Sequence, residues 1–124
     1  METREFFRTV ADHSGLSREE AADLTRATMQ ALGERLSATE ATHLAVRLPD
    51  ELKNAMGPRT GSAENFGMDE FIRRVSEHTG LTVEETTAGV RAVLATLHEE
   101  LGDEQFNHVT AQLPKQFRTL ADLA

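Results

Sequence analysis

Two stretches decide the fold: Phe6-Phe7-Arg8-Thr9-Val10-Ala11-Asp12-His13-Ser14-Gly15-Leu16 and, 65 residues later, Phe71-Ile72-Arg73-Arg74-Val75-Ser76-Glu77-His78-Thr79-Gly80-Leu81. Phe, Arg, Val, His, Gly and Leu recur at the same places. The register then runs on without a gap. Glu19, Glu20, Arg26, Ala27, Leu32, Glu34 and Leu36 match Glu84, Glu85, Arg91, Ala92, Leu97, Glu99 and Leu101. His43, Leu48 and Pro49 match His108, Leu113 and Pro114, which completes 16 identities between Phe6–Met56 and Phe71–Ala121. One register held over that length marks a duplicated unit, and an internal repeat sets the organisation of the whole chain. The reading is a first repeat over residues 1–57, a linker over 58–65 and a second repeat over 66–124, sharing one core. Gly57, Pro58, Gly61 and small polar residues supply the linker signal.

Each repeat reads as four helices. Phe6, Phe7 and Val10, like Phe71, Ile72 and Val75, fall on one face at helical spacing. Gly15 and Gly80 end that helix, because glycine accepts the left-handed backbone just past a helix end. Ser17-Arg18-Glu19-Glu20 and Thr82-Val83-Glu84-Glu85 are capping boxes that open a long second helix. Its apolar stripe is Val90, Val93, Leu94, Leu97 and Leu101 in one copy. The other has Thr25, Thr28, Met29, Leu32 and Leu36. A short third helix starts near Ser37 and Gly102. Pro49 and Pro114 suit the first position of a fourth. No strand-like alternation competes, so the fold class is all-α: a tandem repeat of two four-helix units packed into one compact helical domain.

Composition narrows the function classes. The 124 residues include no Cys, Trp or Tyr. That excludes a disulfide scaffold, a thiolate metal site and a cysteine nucleophile, and fits a cytoplasmic protein. No apolar run reaches the roughly 18–20 residues that cross a bilayer, and Met1–Val10 is too charged for a signal peptide. The net charge of −8 argues against nucleic acid as a partner, which calls for a basic footprint. The first 57 residues carry 7 basic and 10 acidic side chains, residues 66–124 carry 5 and 10, and the linker cancels.

The ordered pattern Phe-hydrophobic-x-x-Val, His-Ser/Thr-Gly-Leu, a long Glu- and Arg-bearing helix and Leu-Pro-x-x-Leu/Phe, present twice, resembles the bacterial domain of unknown function 2267 family. The resemblance covers nearly the whole chain and implies an all-helical bacterial protein. It brings no accepted activity, cofactor or catalytic residue to transfer.

Six residues are candidates for a ligand or partner. His13 and His78 stand just before the helix-ending glycines, where an imidazole can bond terminal carbonyls and complement the helix dipole. His43 follows Glu40 by three residues, the spacing that di-iron bundles use. Its counterpart is Gln105-x-x-His108, so the four-carboxylate set of such a site is broken. Arg26 has Asp23 one turn away, whereas Arg91 has no carboxylate at that spacing and needs a partner from elsewhere. Together Arg26 and Arg91 suit an anion in a cleft between the copies, or inter-helix ion pairs. Glu19, Glu20, Glu84 and Glu85 lie in first helical turns, where negative charge is favoured. There is no glycine-rich phosphate loop and no nucleophile elbow, and the sequence assigns no catalytic residue and no cofactor. The expectation is a non-enzymatic module that binds a protein partner or its own copy. The alternative is a small-ligand or metal-binding protein with its site between the repeats. Function should lie where the copies differ, and Asp50-Glu51 becoming Lys115-Gln116 is the largest change of surface charge.

Overall fold

The structure is a computed structural model that describes residues 1–57 and 63–122. Most of the proposed linker, and Leu123, lie outside the described residues. Seven helices follow in order among those described: α1 (Thr3–Ser14), α2 (Arg18–Arg35), α3 (Ala38–Val46), α4 (Asp50–Ala55), α5 (Met68–Thr79), α6 (Val83–Thr110) and α7 (Lys115–Asp122). No strand occurs among them. The protein is all-α, and none of the described helices is long and apolar enough to cross a membrane.

Local chemistry sets the helix ends. Gly15 and Gly80 close α1 and α5 with φ of 77° each. Ser17 and Thr82 each accept a hydrogen bond from the amide three residues on, while Glu20 and Glu85 accept one from the N-cap amide. Each complete box is worth about 1 kcal/mol. The two prolines sit one place earlier than the first-turn position the sequence suggests. Pro49 is the N-cap of α4, with ψ at 154°, and Pro114 immediately precedes α7. The extended backbone at Pro49 starts the helix only at Asp50.

The expected third helix of the second half runs on from the long helix through a break. Gly102 has φ 82° and ψ 166° inside α6, a region open essentially to glycine alone. His98 braces the bend: its ring stacks on Phe106 with centroids 4.4 Å apart, and its Nε2 lies 2.6 Å from Asp103 Oδ1.

One continuous core runs from Phe6 to Ala121. Phe6, Phe71, Phe106 and Phe117 are its largest fully buried side chains, and Phe71 meets Phe117 edge to face at 4.9 Å. The apolar stripes expected from both copies are buried, with Met29, Leu32 and Leu36 in one and Val90, Val93 and Leu94 in the other. The threonines of those stripes stay satisfied by donating back one turn, as Thr25 does to Ala21 O and Thr28 to Leu24 O, each at 2.7 Å. The helices of the two halves interleave. α1 packs on α6 as well as α2, and α5 packs on α2 as well as α6. Where α2 meets α6, Gly89 leaves room for the Leu24 side chain.

Candidate functional site

The six candidate residues separate into four environments. His13 and His78 are exposed in the last turns of α1 and α5. Neither ring makes a hydrogen bond to another described residue, so the helix dipole is the only part of the capping reading that their positions fit.

His43 and His108 are brought together. Their ring centroids lie 6.2 Å apart, although the residues come from α3 and from the last turn of α6. Between them sits Glu40. Ser37-x-x-Glu40 has the spacing of a capping box, and Ser37 Oγ accepts the Glu40 amide at 3.2 Å. The Glu40 carboxylate does not complete the box as Glu20 and Glu85 do. It turns inward, 6% exposed, with Oε1 2.7 Å from His108 Nε2. Its Oε2 is buried without a hydrogen-bond partner among the described residues, and His43 Nδ1 stands 3.9 Å from it, too far for a hydrogen bond. Both imidazoles are more than half exposed. The cluster opens on a surface depression of about 470 Å³ that Val46, Arg47 and Gln105 also line.

Arg26 and Arg91 differ sharply. Arg26 Nε donates to Glu51 Oε2 at 2.8 Å, Nη1 donates to Asp23 Oδ1 at 3.1 Å, and the guanidinium lies over the Phe7 ring at 5.1 Å. Periodicity does not reveal Glu51 on α4 as a partner, because its contact depends on how α4 folds back. The residues at the Asp23, Glu51 and Phe7 positions of the second half are Ala88, Gln116 and Ile72. Arg91 Nε is buried and has no hydrogen-bond partner among the described residues.

A mainly apolar opening lies on the described surface near the start of α6. It is a groove of about 590 Å³ between α5, the start of α6 and α7. Ile72, Val83, Thr87, Lys115, Gln116 and Leu120 line it, and Val83 is 63% exposed. Thr87 stands one turn before Arg91 on the same helix. Lys115 and Gln116, singled out by their charge change, are thus groove residues. Periodicity could not reveal the groove itself, since it depends on where α7 lands.

A further cluster is structural. Arg74 donates to Glu34, Glu64 and Glu70 at 2.9–3.0 Å and covers the Phe66 ring at 3.8 Å. Arg35 donates to Phe66 O at 2.7 Å. Together these contacts fasten the segment before α5 to the end of α2. Hydrogen bonds from Arg73, then Arg74, hold the Glu70 carboxyl down at about 2.

The chain belongs to the family described as uncharacterized conserved protein (DUF2267), whose model matches residues 3–120. A comparison with curated proteins returns no match.

Proposed function

We propose that the protein is a non-enzymatic interaction module made of two related halves on a shared core. Its docking surface is the groove between α5, α6 and α7. The partner is a protein segment carrying a carboxylate among apolar side chains.

The paired-halves reading draws support from two contacts. Leu24 meets Gly89 and His43 meets His108, and each pair is 65 residues apart. In a two-fold arrangement, equivalent residues meet each other where they lie on the axis. The reciprocal packing of α1 on α6 and α5 on α2 fits the same symmetry. A half of this size is near the lower limit for folding alone. A fragment ending at Gly57 should therefore lack a cooperative thermal transition, and the presence of one would contradict the shared core.

The observation that carries the docking surface is the buried, unpartnered Nε of Arg91. In the first half the equivalent guanidinium is closed off by Glu51, Asp23 and Phe7. The second half has replaced all three, and the replacements of Phe7 and Glu51 line an open apolar groove. An incoming carboxylate would take the place of Glu51, with apolar side chains laid against Ile72, Val83 and Leu120. A charge-assisted hydrogen bond to a desolvated group contributes about 1.5–3 kcal/mol, which is about tenfold or more in affinity.

Octanoate carries both elements of that chemistry and serves as the probe in a nuclear magnetic resonance titration, with octanol as the uncharged control. Octanoate should shift the Ile72, Val83 and Leu120 methyls and bind about tenfold tighter than octanol. Arg91→Gln should remove the difference. Equal binding of both probes, or shifts centred on Phe7, would overturn the reading.

A further inference from the structure

We propose that Glu40, His43 and His108 form a binding site for one divalent transition-metal ion of the zinc type, placed between α3 and the last turn of α6. This site is separate from the groove. One oxygen of Glu40 and one ring nitrogen from each histidine lie within 4.8 Å of one another. Two imidazoles and a carboxylate are a donor set that suits zinc and its neighbours in the first transition row. Zinc takes nitrogen and oxygen donors at about 2.0–2.2 Å. Tetrahedral geometry then separates the donor atoms by about 3.3 Å, so a small rotation of the exposed His43 ring closes the set.

The carboxylate is what distinguishes this cluster from two neighbouring surface histidines. Glu40 stands at the third position of its helix, where the equivalent glutamates of α2 and α6 turn outward to cap. Turning inward forfeits that hydrogen bond and desolvates a charge. The move costs free energy unless something positive meets the carboxylate. His108 reaches only Oε1. Oε2 remains buried and unmatched, facing His43 Nδ1 across 3.9 Å. A divalent cation held by the carboxylate and both rings meets that demand.

The donor set also fixes the number of ions. A di-metal site needs two Glu-x-x-His pairs and two further glutamates. Gln105 stands in the second half where Glu40 stands in the first, and a neutral amide is a poor replacement for a carboxylate ligand. The cluster therefore serves one ion with three protein ligands. The fourth position would face the depression, which Val46, Arg47, Glu104 and Gln105 also line. Because α3 and α6 supply different ligands, the ion would tie together helices that are far apart in sequence.

The test uses the full-length chain without a polyhistidine tag. Isothermal titration with zinc chloride should give about one equivalent per chain. Cobalt(II) should give the intense visible bands of a tetrahedral centre. Loss of a second-shell partner already weakens metal sites about 10- to 100-fold, so His43→Ala and His108→Ala should each weaken zinc binding by at least that factor. His43 is exposed, so its replacement leaves folding intact and keeps the test decisive even where Glu40→Gln unfolds the chain. His13→Ala and His78→Ala should bind as the wild type does. Wild-type affinity in both His43→Ala and His108→Ala, or an equal loss in His13→Ala, would overturn the proposal. So would failure of the wild-type chain to bind one equivalent.

Discussion

Replacing Gly89 by alanine tests the crossing of α2 and α6, because two opposing effects of known size meet at one atom. Alanine in a helix interior is about 1 kcal/mol more favourable than glycine, and Gly89 has helical backbone inside α6. Its added methyl would run into Leu24 Cδ1, Cδ2 and Cγ, closer than real carbons approach. Leu24 is fully buried and cannot swing into solvent. Overpacking of this kind costs about 1–3 kcal/mol. Gly89→Ala should therefore destabilise the protein by about 0–2 kcal/mol net. Truncating Leu24→Ala costs about 2–5 kcal/mol by itself, but it removes the colliding atoms. In that background Gly89→Ala has space for its methyl and should stabilise by about 1 kcal/mol. The coupling across the double-mutant cycle should be about 1–3 kcal/mol, equal to the strain relieved. Urea unfolding followed by far-ultraviolet circular dichroism gives all four free energies. The same ΔΔG for Gly89→Ala in both backgrounds would refute the contact, and with it the register in which α2 meets α6.

Three further outcomes follow from single contacts. Thr82→Ala removes the hydroxyl that accepts the Glu85 amide and should cost about 0.5–2 kcal/mol in chemical denaturation. Gly102→Ala forces a side chain into the backbone of φ 82° and ψ 166° and should cost about 1–3 kcal/mol. Crystallography of that variant should show the His98–Phe106 stack displaced. Glu70 is depressed from 4.5 to about 2 by hydrogen bonds from Arg73 and then Arg74, so its stabilisation is complete above about pH 4.5 and is lost as the pH falls through about 2. The melting-temperature gap between wild type and Glu70→Gln should persist above the upper value and close near the lower one; a gap unchanged at acid pH would remove the role assigned to this carboxylate.

The readable parts of this protein are those whose cause lies within four residues. Gly15, Gly80, Ser17-x-x-Glu20 and Thr82-x-x-Glu85 specify their helix ends through contacts along the chain, and the structure has each of them as the local pattern requires. Ser37-x-x-Glu40 carries the same local instruction, yet there the structure departs from it. Its glutamate has two available states, a capping state worth about 1 kcal/mol and a buried state beside His108. The choice depends on a ring 68 positions away in sequence. A preference that small is overridden by any tertiary contact of comparable size, so the short pattern could identify Glu40 and His43 as neighbours but could not turn the carboxylate inward. Arg91 presents the same limit from the other side. The sequence shows that it lacks the one-turn carboxylate that Arg26 has. The missing Glu51 equivalent becomes visible only once α4 has folded back onto α2. Both candidate sites therefore arise where a local rule kept elsewhere in the chain is broken. The residues that keep the rule act as internal controls. Glu20 and Glu85 show what Glu40 gives up, and Arg26 shows what Arg91 lacks.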